Sequence, residues 1–182
     1  VLLVYPQGLE FVEAFLGCIL AGIVPVPLPS PMPLRPGAGL VGYVKIAADC
    51  GASAQLTCQS YSRTRTFGRI LLALKSGPKW PDLPWIVTDQ MEKGATFEPE
   101  NPSPQHLAFL QYTSGSTRAP RGVCLSHENI WEQTRLLTTE LKLGRKESTA
   151  VFWMPHYHDF ALIGGVINAL LGIHHYISFS TT

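Results

Sequence analysis

Short apolar runs alternate with helical apolar stripes at the start of the chain. Residues 1–5 form an aliphatic and aromatic run, residues 9–23 carry apolar side chains at helical spacing, and residues 24–28 form a second run. This order predicts a strand, a helix and another strand. Such a unit is typical of a parallel sheet with helices packed against it.

The same alternation continues through the middle of the chain. A proline-rich, extended connection over residues 27–36 leads to four predicted elements: a helix over 39–51, a strand over 54–58, a helix over 64–74 and a strand over 85–88. Residues 89–105 are polar and contain several prolines, which predicts a surface loop.

The last part of the chain repeats the pattern with clearer helix signals. Residues 107–113 predict a buried strand, and a second apolar run follows Gly122. The elements predicted after it are a helix over 127–143 with Ser126 as N-cap and Asn129 as its partner, a strand over 149–154, a helix over 160–171 capped by Asp159, and a strand over 174–179.

Together these elements predict an α/β fold in which strands of a largely parallel sheet alternate with helices on both faces. The 182 residues are enough to bury a sizeable core. The sequence contains no repeat of fixed period beyond this alternation. Residues 1–182 are therefore predicted to form part of one domain without an internal boundary.

The composition is unusually apolar for a free-standing domain. Charged residues make up 15% of the chain, against a usual share of about a quarter, while apolar residues reach 46%. We expect part of this apolar surface to be covered by residues outside the sequence. The start of the chain, at Val1, also resembles the middle of a domain.

Charge and hydropathy exclude several classes of partner. The net charge of +1 gives no broad basic field for nucleic acid. The most apolar segment, residues 14–26, is too short to span a membrane and is bracketed by acidic residues and prolines. The four cysteines form no C-x-x-C pair, so we expect buried, reduced thiols and a cytoplasmic protein.

Two polar loops follow predicted strands, over residues 113–121 and 156–159. Ligands bind beyond the strand ends of open α/β sheets, so both loops could face one crevice. Small hydroxyls and backbone N–H groups followed by a guanidinium suit a polyphosphate in the first loop. A solvent-exposed turn has the same composition, and the loop does not match the Walker P-loop pattern.

The order of residues in these loops resembles a known family. Residues 112–123 read Y-T-S-G-S-T-R-A-P-R-G-V and resemble the phosphate loop of adenylate-forming enzymes, Y-T-S-G-S-T-G-x-P-K-G-V. Residues 153–165 read W-M-P-H-Y-H-D-F-A-L-I-G-G and are similar to the W-L-P-x-Y-H-D-M-G-L-I-G-G segment of fatty acyl-AMP ligases. Residues 5–27 are similar to the opening of the same subgroup, so the resemblance covers nearly the whole chain.

The resemblance implies that a fatty acid reacts with ATP to give acyl-adenylate and pyrophosphate, with Mg²⁺ bridging phosphates. The acyl group would pass to an acyl carrier protein or a polyketide synthase carrier domain. His158 would line the reacting carboxylate, and Arg121 stands where the family has lysine. The implied phosphate-binding residues are Thr113, Ser114, Gly115, Ser116, Thr117, Arg118 and Gly122.

Three positions depart from the family pattern. Arg118 replaces the second loop glycine, which costs about 1 kcal/mol or more if the position needs a left-handed backbone. Arg121 keeps the positive charge of lysine but presents a planar fork. Ala161 replaces the glycine after the His-Asp pair and would narrow a channel by one methyl group.

The resemblance covers only the N-terminal part of the family's large domain. The family's adenine-binding and ribose-binding segments, its Mg²⁺-side glutamate and its C-terminal domain lie downstream of these residues. We therefore expect this chain to be a fragment that is inactive alone.

Two other functions are compatible with the same residues. A degenerate adenylating fold could bind lipid, nucleotide or protein without catalysis. Alternatively, His156, His158 and Asp159 could hold Zn²⁺ in a metal-dependent hydrolase, although no other His/Cys cluster completes the ligand set.

Overall fold

The computed structural model describes residues 1–32, 37–71, 79–92, 98–113, 120–141, 149–170 and 175–178. The chain forms two compact units. The first comprises Val1–Asn101 and Ala108–Cys124, and the second comprises Pro102–Leu107 and Leu125–Thr182. The prediction of one domain without an internal boundary stays a prediction.

The first unit is built on a four-stranded parallel sheet, as the alternation of runs and stripes predicts. Its strands are β1 (Leu2–Leu3), β2 (Val26–Pro27), β3 (Gln55–Thr57) and β4 (Trp85–Val87), in the order β2-β1-β3-β4. The register pairs Leu2 with Val26 on one side and with Gln55 on the other. Both residues of β1 are fully buried, which is usual for a parallel strand covered on both faces.

Three helices connect these strands: α1 (Leu9–Leu20), α2 (Gly37–Asp49) and α3 (Gln59–Leu71). Helix α1 places Phe11 and Phe15 in the core, where the two rings stack. Helix α3 is held near β4 by the Arg65 guanidinium, which lies 4.2 Å from the centre of the Trp85 ring.

Helices α1 and α2 end in the same way, with a glycine in the left-handed region. Gly22 has φ of 64° and Gly51 has φ of 59°. At the end of α2, the N–H of Gly51 donates to the Ala48 carbonyl and that of Ala52 donates to the Ala47 carbonyl. This paired arrangement satisfies the last carbonyls and fixes where the helix stops.

A two-stranded sheet of β5 (Leu107–Thr113) and β6 (Arg121–Ser126) follows. The second unit continues with α4 (His127–Glu140) and with β7 (Thr149–Phe152), which pairs in parallel with β8 (His175–Ser178). The capping prediction for α4 is confirmed: the Asn129 N–H donates to Ser126 Oγ at 3.1 Å, and the Ser126 N–H donates to Asn129 Oδ1 at 3.1 Å.

The apolar helix predicted over residues 160–171 has a different geometry. Residues Phe160–Ile167 form a wide π-type helix, and Asn168–Leu170 continue it as one α-helical turn, α5. The run is apolar all round, so the sequence contains no polar face from which an α period and a π period could be distinguished.

The prediction that the cysteines are buried is partly wrong. All four cysteines are free thiols, and Cys18 and Cys58 are buried. Cys50 is half-buried and Cys124 is exposed on β6. Within the described residues, no helix has both the length and the apolar character needed to cross a membrane.

Candidate functional site

Strand β5 carries the start of the predicted phosphate loop out of the core of the first unit. Phe109 is fully buried and packs edge-on against Phe15, and the Leu110 N–H donates to the Pro25 carbonyl at 3.1 Å. Exposure rises toward the end of the strand, where Thr113 is exposed. The last residue of β5 therefore lies at the surface of the first unit.

Strand β6 begins with two further predicted site residues. Arg121 and Gly122 are both exposed. A Cβ atom at position 122 would lie 2.9 Å from Tyr112 Cζ, which is closer than Cβ atoms come to other heavy atoms in proteins. The absence of a side chain thus lets β6 lie directly against the Tyr112 ring, which brings the end of β5 and the start of β6 together.

The hydroxyl of Tyr112 is held from a third segment of the chain. It donates a hydrogen bond to the carboxylate of Asp49, the last residue of α2. Burial and, after it, this bond to Asp49 raise the pKa of Tyr112 well above its usual range. The phenol therefore keeps its proton and acts as a permanent donor at neutral pH.

The other loop residues of the prediction lie outside the described residues. These are Ser114, Gly115, Ser116, Thr117 and Arg118. The described residues of the loop are Thr113 at its start and Pro120 and Arg121 at its end. Tyr112 directly precedes Thr113, and Gly122 directly follows Arg121, so the contact between Tyr112 and Gly122 lies in the strands just outside the loop. A residue with a hydroxyl and a residue with a guanidinium therefore flank the loop, a combination that suits an anion.

The histidine corner of the second unit is a tight turn that leads into the π-type helix. The His158 N–H donates to the Pro155 carbonyl at 2.9 Å, and the Leu162 N–H donates to the His158 carbonyl at 2.8 Å. Asp159 Oδ1 accepts from the Phe160 N–H at 2.7 Å, which confirms the predicted cap.

The same carboxylate orients His158. Asp159 Oδ1 lies 2.7 Å from His158 Nδ1, and both side chains are about half exposed, at 52% and 53%. Because Nδ1 is committed to the carboxylate, Nε2 is the ring nitrogen that can meet a ligand.

His156 has a different environment from His158. It is 5% exposed, its ring packs edge-on against Tyr157 with centroids 5.6 Å apart, and burial lowers its pKa to about 4. His156 is therefore a neutral imidazole inside the second unit at neutral pH.

The geometry does not favour the metal-dependent alternative. Among the described residues, no three His, Cys, Asp or Glu side chains are grouped so that they could hold a metal ion. His156 is buried inside the second unit, whereas the side chains of His158 and Asp159 are about half exposed.

Sequence reasoning missed Asp49, which lies 63 positions before Tyr112. The only local signal is a carboxylate at the C-terminal end of a predicted helix, where the helix dipole disfavours it. The expectation that both polar loops line one crevice stays a prediction, since Thr113, Arg121 and Gly122 belong to the first unit and His158 to the second.

Comparison with known proteins gives one consistent result. The model of the AMP-binding enzyme family matches residues 1–178. A medium-chain fatty-acid–acyl-carrier-protein ligase, JamA of Moorena producens, is 37% identical over 171 residues, which is 93% of this chain and 28% of JamA. The long-chain fatty-acid–AMP ligase FadD32 of Mycolicibacterium smegmatis is 31% identical over 97% of this chain and 27% of its own length.

Solved structures agree with this result. The fold is similar to a fatty acyl-adenylate ligase from Legionella pneumophila, solved in complex with acyl adenylate and pyrophosphate. The TM-score is 0.83 at 28% identity, and the match covers 99% of this chain and 30% of that protein. The chain thus spans less than a third of the length of these relatives.

Proposed function

Because this chain belongs to the family of AMP-binding enzymes, we propose that the protein that carries it is a fatty acyl-AMP ligase. Its reaction would be the activation of a fatty acid by ATP. The support is twofold: relatives named as fatty acid ligases match nearly the whole chain, and the strand ends carry suitable groups.

The proposed reaction forms one bond and breaks one. A carboxylate oxygen of the fatty acid attacks the α-phosphorus of ATP, and the bond from that phosphorus to the bridging oxygen of pyrophosphate breaks. The products are acyl-adenylate and pyrophosphate. A protein accelerates such a displacement mainly by positioning and by neutralising charge, so hydroxyl, backbone and guanidinium donors are sufficient equipment.

The observation that carries the proposal is the placement of Thr113 at the end of β5 and of Arg121 at the start of the neighbouring strand β6. These two exposed residues, which carry a hydroxyl and a guanidinium, flank the loop sequence, and Gly122 allows the close approach of the strands. We assign Arg121 to the negative charge of the β- and γ-phosphates of bound ATP. Thr113 and Gly122, with Ser114, Gly115, Ser116, Thr117 and Arg118, would provide the remaining phosphate contacts.

His158 has the second assigned role. Its Nδ1 is held by Asp159, so Nε2 is oriented for one partner. We propose that this nitrogen lines the site of the reacting carboxylate of the fatty acid. The hydrogen bond from the His158 N–H to the Pro155 carbonyl and the cap on the Phe160 N–H limit the positions that the ring can take.

Mg²⁺ accompanies ATP in such chemistry, where it offsets phosphate charge. The described residues include no cluster of metal ligands, so we assign none of them to the ion. The proposed acceptor is the phosphopantetheine thiol of an acyl carrier protein or of a polyketide synthase carrier domain. The name of the relative JamA supports a carrier protein.

The test of this proposal is pyrophosphate release by the full-length protein, measured with ATP and a series of fatty acids. Release should require both substrates. Arg121→Ala should lower kcat/KM for ATP by about a hundredfold, because it removes one preorganised positive charge that faces the phosphates. Arg121→Lys, which restores the family residue, should stay within about tenfold of the wild type.

Arg135→Ala is the matched control, since Arg135 is an exposed arginine of α4 paired with Glu132. It should leave the rate unchanged. A full-length protein that binds ATP but releases no pyrophosphate with any acid would instead be a non-catalytic binding module. A hydrolytic activity that needs no ATP and is lost on chelation would support the metal-dependent alternative.

A further inference from the structure

Asp49 occupies a position that helix energetics disfavour. It is the last residue of α2, and no basic side chain lies in the last turn of that helix. A carboxylate at a helix C-terminus faces the negative end of the helix dipole, which destabilises it. The Tyr112 hydroxyl donates a hydrogen bond to this carboxylate, which offsets that unfavourable interaction.

The helix end holds Asp49 in a defined place. The Gly51 N–H donates to the Ala48 carbonyl, and the Ala52 N–H donates to the Ala47 carbonyl. These two hydrogen bonds close the C-terminal end of α2 directly after Asp49. Gly51 adopts the left-handed conformation that this closure needs. Asp49 thus projects from a fixed backbone, in contrast to a residue on a free loop.

Tyr112 connects this fixed point to both ends of the loop. Its hydroxyl binds Asp49, its ring lies against Gly122, and its backbone immediately precedes Thr113. A movement of the ring would displace Gly122, and a movement of the backbone would displace Thr113. One side chain therefore joins α2, β5 and β6 at the point where the candidate phosphate residues begin.

We propose that Asp49 is a positioning residue for the nucleotide: through Tyr112 it holds Thr113 and Arg121 in the geometry that binds the phosphates of ATP. This inference rests on the proposed function. It assigns no contact between Asp49 and ATP, so Asp49 acts only through the tyrosine.

The first test measures the anchor itself in the full-length protein, without ATP. Asp49→Ala and Tyr112→Phe each remove one partner of the bond, and each should speed amide hydrogen exchange about fivefold at residues 111–113 and 121–123. Exchange in residues 149–170 should not change. Asp49→Asn keeps an oxygen acceptor and should restore exchange to about twofold of the wild type.

The second test measures what the anchor does for ATP. In the pyrophosphate-release assay, Asp49→Ala and Tyr112→Phe should each raise the KM for ATP about fivefold, with kcat changed by less than about twofold. The double variant should be no worse than either single variant, because both remove the same interaction. Asp82→Ala, an exposed carboxylate of the first unit, is the matched control and should leave KM unchanged.

The outcomes separate the two claims. Unchanged exchange in the single variants overturns the anchor, whether or not the enzyme is active. Faster exchange with an unchanged KM in an active enzyme, or single effects that multiply in the double variant, overturns the positioning role. If the wild-type protein releases no pyrophosphate, the proposed function fails and the exchange result alone decides the anchor.

Discussion

At the scale of single residues, the two imidazoles of the histidine corner differ in exposure and in hydrogen-bonding environment. His158 is half exposed and paired with Asp159, whereas His156 is buried and its pKa falls to about 4. The motif shows that both residues are present but not which one is buried. Burial depends on packing in the second unit, which the local sequence does not encode.

The depressed pKa of His156 predicts a pH dependence of stability. The unfolded chain binds a proton below about pH 6.5 and the folded chain only below about pH 4, so the unfolded state gains protons first on acidification. The stabilisation is complete above pH 6.5 and is lost as the pH falls toward 4. Between pH 7 and pH 5 the loss should be about 2 kcal/mol.

Chemical denaturation of the full-length protein at these two pH values measures that loss. His156→Gln removes the titratable group and keeps a polar side chain, so its free energy of unfolding should fall by about 2 kcal/mol less than that of the wild type. Equal acid destabilisation of the two proteins would show that other groups cause it.

At the scale of elements, prediction succeeded where the signal was local. The cap of α4 consists of Ser126 and Asn129, three positions apart, and the structure confirms it. Helix α3 was predicted from residue 64 but begins at Gln59. The Gln59 N–H donates to both carboxylate oxygens of Asp89, at 2.9 and 3.1 Å. This capping group lies 30 positions downstream, so no local pattern could reveal it.

The cap of α4 makes a prediction of its own. Ser126→Ala removes the acceptor for the Asn129 N–H and should lower the free energy of unfolding by about 1 kcal/mol. Ser126→Asp keeps a capping oxygen and should stay within about 0.5 kcal/mol of the wild type. Denaturant titration of the full-length protein measures both values. A loss as large for Ser126→Asp as for Ser126→Ala would exclude the cap as the cause.

At the scale of the whole molecule, hydrophobic patterning was sufficient for the fold class. Strand β1 is apolar and fully buried, so it stands out from the amphipathic helices in the sequence, whereas its neighbour β3 buries the polar side chains of Gln55 and Thr57. The candidate site was predictable only in part. The motif predicts Thr113, Arg121 and Gly122 as site residues, but it gives no signal for Asp49, whose contact with Tyr112 lies 63 positions away and forms only on folding.

The central claim, that the full-length protein makes acyl-adenylate, can be tested by following one oxygen atom. The protein is given ATP and a fatty acid with both carboxylate oxygens replaced by heavy oxygen, and hydroxylamine then attacks the acyl carbon. Attack breaks the bond between that carbon and the oxygen it shares with phosphorus, so this oxygen leaves with AMP. We predict AMP that contains one heavy oxygen, together with pyrophosphate. Unlabelled AMP, or ADP with an acyl phosphate, would contradict the proposed reaction.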